Sequence, residues 1–414
     1  MVRDSEYRSW KHARLTVSMG FKLSDITVTF KETHKQIDPI LWDDCFKAPQ
    51  EGHFWYEALE ASHLEDQFTF FYGLIEYENK PVGIIPAFVH NVPLSLVAPN
   101  FVAWPLKQLA RIIPEVGYQR TFFVGSPCSD SGHIGLREGL NPSDFIQGIV
   151  AACEEKAKTL NAPMLVFKDF ERADILNFHQ ATQDAGFFTM PSYPGTVVQI
   201  PQATLASYIQ TLSSSHRHNL LKKLKRSKEK LPLTTTTVHS PSDAELEEIL
   251  ALFLQTYEKG ATKFERLGLP FFRQISLAKE SRFILQRDTT TGKLVTFMLG
   301  FVIGSRFINK FIGIDYARAG KTFLYFRLFE AAVETACSEG ATEIQSGQTG
   351  YRAKLDLGHT LIPLYNHVKH KNKLVNLIYK KIGTQVTWKS LDTDLAYYLK
   401  AHPKAELISS LKPE

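Results

Sequence analysis

"RFILQRDTTTGKLVTFMLGFVIGSRFINKFIGI", residues 282–314, holds three apolar runs separated by the polar turns DTTTG and GSR. Runs of this length, rich in Phe, Ile and Val and closed by Gly-containing turns, predict three consecutive strands. The loop "DYARAGKT" follows. "FLYFRLFEAAVETACSEG" (Phe323–Gly340) predicts a helix stopped by its glycine. "TEIQSGQT" then reads as a strand, and "IPLYNHVKH" as the strand that closes the unit.

The first half shows the same order. "FYGLIEYENKPVGIIPAFVHN" (Phe71–Asn91) predicts a hairpin, and an irregular Pro-rich segment follows. "RTFFVG" predicts a strand, and "SPCSDSGHIGLREGLNP" a Gly-rich loop with no basic residue before Arg137. A helix spans Pro142–Leu160, opened by Asn141 or Ser143, with Phe145, Ile146, Ile149, Val150 and Cys153 on one face. The strand "PMLVFKDF", a helix ending at Gly186 and the strand "GTVVQIP" complete it. Hairpin, strand, loop, helix, strand thus occurs twice. This predicts an α/β protein with mixed sheets in two tandem domains, 21–205 and 206–390, between a lead-in 1–20 and a tail 391–414.

The totals agree with a globular chain. Among 414 residues, 44% are apolar and 22% charged, enough to build sizeable cores. The net charge is +5, yet seven Lys/Arg against one Glu lie between His216 and Lys230. The basic excess is therefore local, and a generally basic, DNA-coating protein is not indicated. The four cysteines are scattered and the fourteen histidines lack ligand spacing, so neither a disulfide frame nor a metal site is expected. A reduced, cytoplasmic setting follows from the same cysteine pattern. No uncharged apolar run is long enough to span a bilayer, and Val92–Pro105 is broken by three prolines. The first residues lack an apolar signal core, and Met19 is an alternative start.

Two stretches carry the basic charge. "SSSHRHNLLKKLKRSKEKLP" (Ser213–Pro232) predicts a helix over 214–230, with Leu220, Leu221, Leu224 and Lys228 on one side and cations over much of the rest. "HVKHKNKLVNLIYKKIG" (His367–Gly383) predicts a second, with Leu374, Leu377, Ile378 and Ile382 on one face. Each is either a solvated helix or a grip for a polyanion.

The repeated unit resembles the GNAT acyltransferase fold. "FWYEALEAS", "LSSSHRHNLLKKLKRS", "FIGIDY", "LYFRLFEAA" and above all "GQTGYRAKLDLGHTLIPLYNHVKH" are similar to stretches of the Fem-type aminoacyltransferases and the related BioF-like and CelD-like acetyltransferases. The resemblance covers roughly residues 30–385. It implies N-acyl transfer from an acyl-CoA or an aminoacyl-tRNA to an amine, which is a small molecule or a peptide. The first half would then shape the acceptor pocket and the second carry the chemistry. A non-catalytic module that binds a polyanion or an anionic membrane is the alternative.

Acyl transfer needs a proton acceptor for the amine, donors for the oxyanion and a proton for the leaving group. The polar cluster "IQSGQTGYRAKLDLGH" supplies Tyr351 as acid, Lys354 as stabiliser and Gln348 as positioning group, with Asp315 as base. His359, Glu265, Lys168 and Asp169 are candidate substrate contacts. Between a strand and a helix, Arg318, Gly320, Lys321 and Thr322 could cradle a cofactor phosphate. Related enzymes use an R/Q-x-x-G-x-G/A loop there. "RAGKTF" has one glycine in displaced spacing, so a capped, solvated turn is the competing reading. The long helical arm of some Fem-type enzymes is absent between "LSSS" and "LPLTTTTV".

Overall fold

The computed structural model describes residues 25–93, 117–201, 204–260, 265–403 and 405. The expected lead-in and most of the Pro-rich segment lie outside these residues. The first half contains β1 (Ile26–Lys31), α1 (Pro39–Cys45), α2 (His53–Glu60), β2 (Thr69–Tyr77), β3 (Lys80–Pro93), β4 (Tyr118–Val124), β5 (Gly135–Leu136), α3 (Pro142–Thr159), β6 (Met164–Glu171), α4 (Arg172–Asp184), β7 (Phe188–Pro191) and β8 (Gly195–Gln199). The second contains α5 (Leu205–Thr211), α6 (Ser214–Lys230), β9 (Leu233–Val238), α7 (Asp243–Lys259), α8 (Leu269–Ile275), β10 (Ser281–Asp288), β11 (Leu294–Ile303), β12 (Arg306–Ile314), α9 (Tyr316–Ala319), α10 (Leu324–Ser338), β13 (Glu343–Ser346), α11 (Tyr351–Asp356), β14 (Thr360–Ile362), β15 (Leu364–His370), α12 (Lys373–Gly383), α13 (Trp388–Leu391) and α14 (Thr393–Ala401).

These elements build two mixed sheets, ordered β1-β2-β3-β4-β6-β15-β7 and β14-β8-β13-β12-β11-β10-β9. The strands read as closing each half are exchanged. β8 leaves the first half to pair with β13 in the second sheet. β15 leaves the second half and inserts between β6 and β7. Each half therefore completes the other's sheet.

Local chemistry explains the elements. Asn141, not Ser143, caps α3, its side chain accepting from the Ser143 amide at 3.1 Å. A full capping box of Ser242 and Glu245 opens α7. β10 and β11 are buried along nearly their whole length, as strands covered on both faces must be. One core cluster joins α1, α2, β2 and β3 to α7, α8 and β10–β12. At its centre the fully buried Trp55 meets Phe271 and Phe301 edge-on, at ring distances of 5.9 and 5.8 Å. Burying a side chain of this size contributes roughly 1.5–3 kcal/mol. The residues read as a tail also pack: Leu395 and Leu399 of α14 are buried with Trp388 and Tyr351.

The basic helix α6 is capped by Ser213 and buries Leu220 and Leu224. Leu221, expected in the same stripe, is exposed. Lys223 is tied to Asp356 at 3.1 Å and lies over the Phe326 ring, and Lys228 pairs with Glu330 at 2.8 Å. No described helix is long and apolar enough to cross a membrane.

Candidate active site

In the second sheet β12 and β13 run parallel and pair from Arg306↔Glu343 to Asn309↔Ser346. β13 stops there, whereas β12 continues to Ile314 paired with β11 alone. The strands therefore part, and β12 beyond Asn309 has no strand partner on that side; at its end the Ile314 amide donates to Thr256 at 3.3 Å. Pairing of β12 with β11 also slips between Leu299↔Phe311 and Gly300↔Asn309. Lys310 is the extra residue of this bulge, a device that re-aims a side chain.

Lys310 turns into the space between the two halves. Its side chain is 1% exposed and donates to Glu51, and its ammonium lies 4.4 Å from the centre of the Trp55 ring. The other oxygen of Glu51 accepts from Ser129. Burial alone would lower the Lys310 pKa, but Glu51 and Asp130 more than offset this and hold the ammonium charged. Trp55 is fixed in turn by donating to Ser126 at 3.0 Å.

Asp130 is the hub on the first-half side. Its carboxylate accepts from Gln345 at 3.2 Å, and the Gln345 carbonyl oxygen accepts from Arg306 at 2.8 Å. The Asp130 backbone carbonyl faces Gln348 at 3.4 Å, and Gln348 also donates to the Tyr193 carbonyl at 3.2 Å. Gln348 thus stitches the end of β13 to two loops of the first half. Lys354 is buried, donates to the Gly347 carbonyl, and is lowered by desolvation to about 8 against the pull of Asp130. Desolvation raises the Glu265 carboxyl to about 7, opposed by Lys168 and Lys310. Lys168 pairs with Asp169, which also accepts from Ser192. Glu51, Asp130, Glu265, Lys168, Lys310 and Lys354 therefore form one charged cluster where the halves meet, beside the strand gap.

Among the described residues the first sheet shows no equivalent opening. β4 and β6 pair from Thr121↔Met164 to Val124↔Phe167. Beyond that point the Gly-rich loop returns against the end of β6, with the Gly132 amide donating to the Asp169 carbonyl at 2.8 Å. A Cβ on Gly132 would lie 2.1 Å from the Lys168 carbonyl oxygen, so only glycine allows this approach. The chain fills its own gap here.

The other expected residues are placed differently. The Tyr351 hydroxyl donates to the Pro194 carbonyl at 2.8 Å in a fully buried position, and burial pushes its pKa far up. His359 has Nδ1 at 2.9 Å from the Lys354 carbonyl, so that nitrogen carries the proton. Its Nε2 accepts from Ser346 at 3.2 Å, and burial holds the ring neutral with a pKa of about 3. Asp315 caps α9, accepting from Ala317 at 3.1 Å. Arg318 is paired with Asp288 and lies 3.5 Å from Asp315, so two carboxylates already neutralise it. Thr322 does not cap α10: it donates to the Ala319 carbonyl at 3.1 Å, and Phe323 holds the cap position at φ 50°. Gly320 borders open space, where a Cβ would meet nothing within 4 Å. The Lys321 side chain lies outside the described ones. Among the described residues no group of three or more His, Cys, Asp and Glu is placed to hold a metal ion.

Gln348, Lys354, Glu265, Lys168 and Asp169 thus meet around the interface, whereas Asp315, Arg318, Gly320 and Thr322 form a separate turn. Glu51, Asp130 and Lys310 were not among the expected residues. Lys310 alone left a signal, as a charge inside the apolar strand "FINKFIGI".

Residues 214–355 match the family model of the acetyltransferase (GNAT) domain. No curated protein matches the chain in sequence. Among solved structures, FemX superposes with a TM-score of 0.55 at 10% identity, covering 85% of this chain and 100% of that one. A conserved protein of unknown function from Bacteroides thetaiotaomicron superposes with a TM-score of 0.50 at 12% identity, covering 83% and 99%. Residues 214–355 are thus similar to GNAT acetyltransferase domains, and the two strand-exchanged sheets together have a fold similar to that of FemX.

Proposed function

We propose that this protein is an N-acyltransferase that passes an acyl or aminoacyl group to an amine at the interface of its two halves. The observation that carries this reading is the pairing of an open strand gap with a carboxyl group poised near neutrality, Glu265, and a lysine of depressed pKa, Lys354. An amine arrives as an ammonium ion, which Asp130 and Glu265 attract. Glu265 as carboxylate takes its proton. The neutral nitrogen then attacks the donor carbonyl, and the C–N bond forms as the carbonyl π bond opens to an oxyanion. Lys354 faces the developing negative charge and stabilises it. Collapse re-forms the carbonyl and breaks the bond to the leaving group, a thiolate or a hydroxyl oxygen, which takes a proton from the Lys354 ammonium. The second proton of the attacking nitrogen then passes to the Lys354 amine and restores it, and Glu265 returns its proton to solvent. Gln348 and the Lys310–Glu51 pair hold the two halves in register, so that orientation supplies much of the rate.

The donor is an acyl-CoA or an aminoacyl-tRNA. An extended donor chain can pair with the edge of β12 ahead of Ile314, whose amide already donates to Thr256. Purified protein incubated with panels of acyl-CoA and aminoacyl-tRNA plus primary amines tests the reading. Product formed by the natural chain and lost with Glu265→Gln and Lys354→Met is expected. Turnover undiminished in both variants would remove these residues from the chemistry.

A further inference from the structure

Helix α12 lies against the edge of the first sheet and is held there by its inner face. Asn376 donates to the Gly186 carbonyl at 2.9 Å, Tyr379 packs on the shared core, and Gly383 sits against the Phe188 ring. Its outer face is apolar and uncovered. Leu374, Leu377 and Ile378 are 75%, 64% and 60% exposed, neighbours at helical spacing. Lys371, Lys373, Lys380 and Lys381 surround them, all exposed. Among the described residues no ion pair or side-chain hydrogen bond engages these four amino groups. The same residues could have been turned inward to enlarge the core, but the packed face instead uses Val375, Asn376, Tyr379 and Gly383.

We infer that this face docks the protein on an anionic lipid bilayer. Charge complementarity and shape select this occupant. Three adjacent aliphatic side chains can enter the acyl boundary, while lysines at the rim stay at the level of anionic headgroups. Long lysine stems suit that depth, since their methylenes lie in apolar surroundings while the ammonium stays wet. A nucleic acid would use the lysines and leave Leu374, Leu377 and Ile378 in water. Docking goes beyond acyl transfer and does not depend on it. It would bring the interface site to substrates displayed at a membrane surface.

Co-sedimentation of the full chain with vesicles tests this. The natural protein is expected to pellet with vesicles of 30% phosphatidylglycerol in phosphatidylcholine. It should stay in solution with pure phosphatidylcholine, and 0.5 M salt should weaken the binding. Leu377→Asp with Ile378→Asp should lower partition at least ten-fold, and Lys373→Glu with Lys380→Glu should do so independently. Both pairs are exposed, so the melting temperature should not change. The inference is overturned if the natural chain ignores anionic vesicles, or if either double variant binds as it does. It is also overturned if light scattering shows a dimer that the Leu377/Ile378 variant breaks, because the face would then join two copies. Binding of an RNA duplex that survives the Leu377/Ile378 change but not the lysine change, without vesicle binding, would overturn it too.

Discussion

Lys310, the unpaired residue of the β12 bulge, donates to Glu51 from the other half of the chain, with both side chains buried. This contact ties the bulge to the segment that leads into α2. Ser129 and the Trp55 ring complete its surroundings. Breaking such a pair from one side strands a buried charge, which typically costs 3–5 kcal/mol. Glu51→Gln and Lys310→Met should each lower the free energy of urea unfolding by about 3–5 kcal/mol. The double variant Glu51→Gln/Lys310→Met should recover most of that loss. Additive losses in the double-mutant cycle would show that the two groups act separately.

Glu265 makes both activity and stability depend on pH. Its folded pKa of about 7 lies above the ordinary 4.5, so the native state binds the extra proton between those values. Its contribution to stability is complete below pH 4.5 and is lost as pH rises through 7. Glu265→Gln escapes the cost of a buried charge. It should be up to about 3 kcal/mol more stable than the natural chain at pH 8 and indistinguishable near pH 4.5. Turnover should rise with an apparent pKa of about 7 in the natural chain. The glutamine variant should be slower by roughly 10²–10⁴-fold, with that limb absent. Melting curves and rates across pH 4.5–9 check both.

Lys354 works in the opposite sense. Its folded pKa of about 8 lies below the ordinary 10.5, so the unfolded chain binds more protons between those values. The natural protein should therefore gain stability as pH rises from 8 to 10.5. Lys354→Met should remove this pH dependence and be as stable as the natural chain or more so at pH 7, while losing roughly 10²–10³-fold in kcat. Lys354→Arg keeps a charge that does not titrate, and should restore neither the pH dependence nor full turnover.

Tyr351 separates packing from chemistry. Its hydroxyl is committed to Pro194 and its ring is enclosed by Trp388 and Leu395. Tyr351→Phe leaves one buried carbonyl without its donor and should cost about 1–3 kcal/mol in thermal or urea unfolding. Turnover should stay within about three-fold, the size of an effect transmitted through packing. A loss of several hundred-fold would put the hydroxyl in the reaction.

Much of this was legible from local pattern. The apolar runs from Arg282 to Ile314 could only be strands, and Gly340 could only stop α10. The exchange of β8 and β15 was not legible, because a strand's sequence shows its burial but not its partner across the fold. The site divides in the same way. Gln348 and Lys354 stand in a polar cluster after a buried strand, where ligands gather in α/β folds. Asp130 lies in a Gly- and Ser-rich loop, and Glu51 follows an ordinary turn. Only the meeting of the two halves gives them significance. Arg318 matched the chemistry of a phosphate loop, but Asp288, distant in sequence, pairs with it.

The basic helix α6 now divides into used and available cations. Lys223 and Lys228 are engaged with Asp356 and Glu330, whereas Lys222, Lys225, Arg226 and Lys230 are exposed. Replacing Lys222, Lys225 and Arg226 with Gln should leave the melting temperature unchanged, because among the described residues no ion pair or side-chain hydrogen bond engages them. Its effect on binding separates the donors. Each phosphate contact releases counterions, so loss of two or three contacts to an aminoacyl-tRNA should lower the slope of log K against log salt by about two. A compact acyl-CoA seated beside β12 should show no change in slope. Lys223→Gln, by contrast, breaks a half-buried ion pair and a contact with the Phe326 ring. It should destabilise the fold by about 1 kcal/mol without altering either slope.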